Sequence, residues 1–228
     1  MMYMNKFIKD LEYEKVISNW LETEYFNTDL FPGDYVRVDD LEQQKKGIDF
    51  KLKSNTIFKN QIFHNVDEKA ATSYIATNLN DKELTTFAFE IDSNNRHNSS
   101  RSEGWLFGNK YNETEYYLIC WIWADVELKT NGFGNPRQLS KESIRKIDRF
   151  LVNKNELQKY IEETYGINKT NFMDVSSKFR NERTLPVYLN GFDKPRLYYS
   201  GKLQPEQPLN LLIDKFILKQ FDILNKYY

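Results

Sequence analysis

The order of segments along the 228 residues predicts a mixed fold, α/β or α+β. Three observations carry that expectation. Apolar residues near the start recur at helical spacing, several β-branched and aromatic runs follow between turn residues, and helical patterns with a mixed tail close the chain. Aromatic residues make up 15% of the sequence, enough bulk to fill a sizeable core, which excludes a disordered chain. With 32 Lys and Arg against 33 Asp and Glu the net charge is −1, so any binding to nucleic acid must rest on a local patch and not on total charge.

Taken in order, Phe7, Ile8, Leu11, Val16, Ile17, Trp20, Leu21 and Phe26 mark one face of a helix over 6–26, with an irregularity expected near Tyr13. "YVRV" at 35–38 predicts a short strand, and "LEQQKK" at 41–46 a polar approach to the next one. Runs at 47–53 and 61–69 predict an antiparallel pair, and "LTTFAFEI" at 84–91 a third long strand. "SNNRHNSSRSEG" at 93–104 has the composition of a loop. "YYLICWIWADVEL" at 116–128 is almost continuously apolar, as a central strand buried on both faces must be. Ser140 predicts a helix cap with a helix running to Phe150, and Asn153 with Glu156 caps a second helix ending at Gly166. "LPVYLN" and "PRLYYS" read as extended segments, and "LNLLIDKFILKQFDILNKYY" as a C-terminal amphipathic helix. These patterns suggest a core over residues 1–138 and a C-terminal α+β appendage over 139–228.

Several chemistries lack their residues. No G-x-x-x-x-G-K-[ST] or G-x-G-x-x-G is present, so a phosphate cradle of nucleotide-binding type is unsupported. The two histidines, His64 and His97, lie far apart without Cys partners, against a zinc site. His64, in a strand-like run, reads as a packed or solvent-facing histidine and not as a base. Cys120 stands alone in an apolar run and reads as a buried small hydrophobe, and no disulfide framework exists. No segment approaches the roughly 20 apolar residues of a membrane span, so no membrane partner is expected and a cytoplasmic location is.

Carboxylate chemistry remains. Asp49 opens one strand-like run, and Asp67, Glu68 and Lys69 close the next. They are either solvated strand-end charges or a metal site. Carboxylate oxygens suit Mg²⁺, which takes one or two of them and keeps several waters, and which activates water and neutralises charge on a phosphate. Side chains alternate along a strand, so Lys69 shares a face with Asp67, where its ammonium can orient water or stabilise a transition state. A two-residue hairpin would set Asp49 opposite Glu68, whereas an odd loop or a bulge would set it with Asp67 and Lys69, so Glu68 stays in the set as a reserve ligand.

"GID" with Asp49, followed by "VDEK" with Asp67 and Lys69 behind a leading helix, resembles the PD-(D/E)XK nuclease superfamily over about residues 6–128. Ile48 stands where that motif usually has Pro. The resemblance implies a restriction-endonuclease-like fold with a mixed central sheet flanked by helices. It further implies a nuclease that uses Mg²⁺ or Mn²⁺ to hydrolyse DNA by in-line attack of water on phosphorus. Asp49 and Asp67 would hold the metal with Glu68 in reserve, Lys69 would position water, and Glu14 would add an acid from the helix, with Glu24 and Glu90 as alternatives. Gln43 and Gln44 are further candidates for a phosphate or water contact, though a polar strand approach explains them as well. Lys45 and Lys46 form part of a basic zone near the acids, and Arg96 and Arg101 sit in the polar loop. These four are the candidate nucleic-acid contacts. Cleavage of both strands would suit a homodimer. A different reading keeps the fold without the activity, as a DNA-binding or assembly subunit.

Overall fold

The computed structural model describes residues 2–72, 74–79, 85–94, 100–127, 138–182, 189, 196–199 and 207–225. It is a mixed α/β structure of two compact units, one built from 1–84, 115–152 and 222–228, the other from 85–114 and 153–221. The division therefore does not fall at residue 138. After it, residues 144–152 return to the first unit as a strand, and residues 222–225 follow, with Ile223 N–H donating to Leu151 O at 3.0 Å.

In the first unit, helix α1 (Met2–Leu21) runs without a break past Tyr13, which is buried. The irregularity lies later, where the helix widens into a π-helical turn at Glu22–Phe26, closed by the Asn27 N–H donating to Glu22 O at 2.9 Å. The widened turn brings the successive residues Tyr25 and Phe26 both inward, and Phe26 stacks on Tyr35 with ring centroids 4.7 Å apart. Strand β1 (Asp34–Arg37) pairs antiparallel with β2 (Phe50–Lys53), and β2 pairs antiparallel with β3 (His64–Ala70). Between β1 and β2 the expected polar approach is a short helix, α2 (Leu41–Lys45), whose first turn is capped by the Asp40 carboxylate accepting from Gln43 N–H at 2.8 Å. Between β2 and β3 lies another single turn, α3 (Asn55–Phe58), capped by Ser54.

Strand β6 (Tyr116–Ala124) joins β3 in parallel, and β7 (Ile144–Asn153) completes a sheet of order β1-β2-β3-β6-β7. Leu118, Cys120 and Ile122 of β6, Val66 of β3, and Phe50 and Leu52 of β2 pack with Tyr13, Ile17 and Leu21 of α1 in one core. Tyr117, Ile119, Trp121 and Trp123 fill the other side of β6, so the strand is buried on both faces as its composition predicts. The helix expected over 140–150 is instead one 3₁₀ turn at Lys141–Ser143 followed by β7. The cap signal has a counterpart, since Ser143 Oγ accepts from Ser140 N–H at 3.2 Å. Beyond that turn the Ile, Phe, Leu and Val side chains gain more from the hydrogen-bonding edge of β6 than from an isolated helix.

The second unit holds a sheet of order β5-β4-β9-β8, from β4 (Thr86–Asn94), β5 (Arg101–Glu103), β8 (Leu197–Tyr199) and β9 (Leu209–Asp214). The third expected strand thus belongs to another sheet. Residues 209–214 form a strand and not the start of the expected helix, with Leu209, Leu211 and Ile213 buried in alternation; among the described residues of that segment the α-helix is α6 (Lys215–Phe221). Helix α4 (Lys154–Tyr165) agrees with its sequence signals: Asn153 Oδ1 accepts from Glu156 N–H at 3.1 Å, and Gly166 ends it at φ 68°. Asn153→Ala is expected to cost about 1 kcal/mol, read as a lower urea midpoint at unchanged slope. Helix α5 (Phe172–Glu182) packs on β4. Among the described residues no helix is long and apolar enough to cross a membrane.

Candidate functional site

The site lies in the first unit, at the end of the β2/β3 pairing. Helix α2 stops in a Schellman turn: Gly47 N–H donates to Gln44 O at 2.9 Å and Ile48 N–H to Gln43 O at 3.1 Å, with Gly47 at φ 75°. That left-handed residue turns the chain sharply into Ile48, which is buried, and so fixes where Asp49 begins its run. Gln44 serves the turn as well, donating from Nε2 to Val38 O at 2.7 Å.

The regular β2/β3 register ends at Phe50 opposite Val66. One residue further the ladder changes. Asp49 N–H donates to Val66 O at 2.9 Å, while the Asp49 carboxylate, not its carbonyl, accepts from Glu68 N–H at 2.7 Å. A side chain thus replaces a backbone acceptor at the open end of β3 and draws the Asp49 carboxylate in beside both acids. The loop between the strands carries the α3 turn, so the choice between a tight hairpin and an odd loop falls to a long connection.

Asp67 is 1% exposed, and its Oδ1 accepts from Lys69 Nζ at 2.5 Å. Its Oδ2 is buried with no hydrogen-bond partner. Burial raises the Asp67 pKa to about 7, opposed by the Lys69 ammonium and reinforced by the charge of Asp49, with which Asp67 is close enough to share a proton. Two carboxyl groups so placed need a proton or a cation between them. Lys69 loses basicity to burial but regains more from Asp67 and Asp49, so it is held above the usual lysine range and remains an ammonium.

Glu68 points to the other face of β3, toward α1. Ser18 Oγ donates there, 2.9 Å from each carboxylate oxygen, and Arg37 Nη1 of β1 stands 3.7 Å from Oε2. Burial and the Asp49 charge raise the Glu68 pKa to about 8, against the Ser18 hydrogen bond and Arg37. Glu14, exposed on α1, acts through its charge on both Glu68 and Lys69. Five expected residues, Glu14, Asp49, Asp67, Glu68 and Lys69, are therefore neighbours. Ser18 and Arg37 are additions. Ser18 had one visible signal, a polar residue four positions after Glu14 beside the apolar Ile17; Arg37 had none beyond strand alternation.

Other expectations separate from this group. Glu24 is exposed and pairs with Lys141 at 3.2 Å, and Glu90 belongs to β4 of the second unit. Lys45 pairs with Glu42 at 2.7 Å on α2, and Lys46 is exposed at its end. Arg101, expected at nucleic acid, donates within the second unit to Asp92 Oδ2 at 2.7 Å, Ser177 Oγ at 2.5 Å and Met173 O at 3.0 Å. The physical reason is Asp92, fully buried, whose charge needs the guanidinium of Arg101 and that of Arg180. Arg96 and His97 lie outside the described residues. His64 is packed, with Nδ1 2.7 Å from Glu115 Oε2.

Among the described residues, no group of three or more His, Cys, Asp or Glu side chains is arranged to hold a metal ion. The set is a carboxylate pair. That composition suits a cation that takes one or two protein carboxylates and completes its shell from water and phosphate, as Mg²⁺ does, and it does not suit a closed cage. The orphaned Asp67 Oδ2 is the atom such a cation would satisfy. Compared with protein-family models, curated proteins and solved structures, the chain matches none of them.

Proposed function

We propose that this chain is a metal-dependent nuclease of restriction-endonuclease-like fold that hydrolyses phosphodiester bonds in DNA. The observation that carries the reading is the buried Asp67 carboxylate beside Asp49, one oxygen held by Lys69 and the other unpartnered. Further support comes from a mixed sheet in which a helix precedes three antiparallel strands, with Asp49 just before the second and Asp67 in the third one residue past its last pairing with the second.

Asp49 and Asp67 would hold Mg²⁺ or Mn²⁺, with Glu68 as a reserve ligand and Glu14 contributing charge around them. When bound, the metal supplies Lewis-acid polarisation and neutralises charge on the phosphate. Lys69, 25% exposed at its side chain, reaches from Asp67 toward solvent, where its ammonium orients the attacking water and stabilises the growing negative charge on phosphorus oxygens. Burial of Asp67 keeps water away from that ammonium on one side and strengthens its field.

A second reading, a non-catalytic protein of the same fold that binds DNA, is favoured by the lack of a three-residue metal cluster among the described residues. One experiment separates them. The protein is incubated with linear, supercoiled and branched DNA in Mg²⁺, in Mn²⁺ and in EDTA, and Mn²⁺ binding is followed by calorimetry. Metal-dependent cleavage, with Mn²⁺ binding lost in Asp49→Ala, is the expected result. DNA binding with neither cleavage nor Mn²⁺ uptake would replace the enzyme by the binding protein.

A further inference from the structure

We propose that Arg37 holds a phosphate oxygen of the nucleic-acid backbone beside the carboxylate pair. The inference rests on the nuclease reading and deepens it, by naming the group that receives the charge of the substrate.

Arg37 is the last residue of β1, directly opposite Phe50 of β2. The next residue, Val38, donates its N–H to Asp49 O at 3.0 Å, so Arg37 stands one strand away from the start of the acid run. The charged and titratable groups acting on its guanidinium are Tyr35 on its own strand, which also shares a side-chain hydrogen bond with it, Glu68 on β3 and Asp49 ahead of β2. Its approach to Glu68, 3.7 Å, exceeds hydrogen-bonding distance, and both Glu68 oxygens already face the Ser18 hydroxyl. Nη1 is buried and has no acceptor.

A buried guanidinium N–H left without an acceptor carries an uncompensated desolvation cost, and such a group in a folded protein calls for an acceptor from outside the chain, water or a ligand. Nη1 itself is shielded from solvent, but the side chain as a whole is 28% accessible, so a ligand would meet the guanidinium at its exposed part and reach Nη1 only as the side chain turns toward it. The missing partner must be an acceptor. Phosphate is the acceptor that matches a planar guanidinium fork. A cation there also answers an electrostatic difficulty, because a site of carboxylates repels a polyanion unless positive groups receive the flanking phosphates. Lys45, paired with Glu42 on the surface of α2, is a less specific receiver than a fixed guanidinium.

The test measures binding of wild type, Arg37→Gln and Arg37→Lys to a mixed-sequence duplex oligonucleotide by fluorescence anisotropy, with Ca²⁺ in place of Mg²⁺, across a range of salt. For Arg37→Gln the slope of log affinity against log salt is expected to fall by about one, the loss of one phosphate contact. Arg37→Lys keeps the slope and binds several-fold more weakly, because it keeps the charge without the fork; in cleavage its KM rises while kcat holds. An unchanged slope in a folded Arg37→Gln overturns the proposal. If that variant does not fold, wild-type affinity in Arg37→Lys overturns it. Wild type that binds DNA but never cuts it removes the nuclease reading and leaves the Arg37 contact to be decided by the same slopes; wild type that does not bind DNA removes both.

Discussion

On the proposed nuclease reading, Lys69→Ala is expected to slow single-turnover cleavage by about 10³-fold while DNA affinity changes little, the signature of an interaction made chiefly in the transition state. The ammonium is placed for this. It is anchored 2.5 Å from Asp67 Oδ1, yet a quarter of its side chain remains exposed, so it is fixed at one carboxylate and accessible to substrate. Asp67→Ala should be at least as severe, because it removes both the anchor of Lys69 and the orphaned oxygen that suits a cation. The double variant should be no worse than the worse single one, since the two residues act as a unit. Wild-type rates in Lys69→Ala would reduce the lysine to a structural counter-ion for a buried acid.

Glu68→Gln is expected to stabilise the protein at alkaline pH and to leave it nearly unchanged in acid. The Glu68 carboxyl has a pKa near 4.5 when exposed and about 8 in the fold, raised by burial and by Asp49. The folded state therefore binds the proton more tightly. Its stabilising share is complete below about pH 4.5 and is lost as pH rises to about 8, where the buried group must ionise. A glutamine keeps an acceptor for Ser18 Oγ and never ionises, so the variant escapes that loss. The gain at pH 9 is at most on the order of 5 kcal/mol, read from urea midpoints of the two proteins at pH 4 and pH 9. Parallel pH curves for the two would show that Glu68 is not the group that titrates.

Elements whose signals are local and self-contained could be read directly. Asn153 and Gly166 delimit α4 through a side-chain cap and a left-handed glycine, both chemistry of a single turn. The unbroken apolar run around Cys120 becomes the doubly buried β6, because only a central strand hides every side chain. Where the sequence misleads, two structures satisfy the same pattern. Ile144, Ile147 and Leu151 suit a helix face as well as a strand, and the edge of β6 makes the choice; Leu209, Leu211 and Ile213 pair with β4 and β8 for the same reason.

The candidate site divides in the same way. Residue types and the two-residue interval are visible along the chain, and they bring Asp67 and Lys69 to one face of β3 because strands alternate. Whether Asp49 joined Asp67 or Glu68 depended on the irregular end of a ladder, where a carboxylate takes the place of a backbone carbonyl. The places of Ser18 and Arg37 and the partners of Arg101 depended on tertiary packing alone. Periodicity and capping act over one turn or one strand and are written in neighbouring residues; the partner of a buried charge is set by what the fold carries to it from a distant part of the chain, and no local pattern records that.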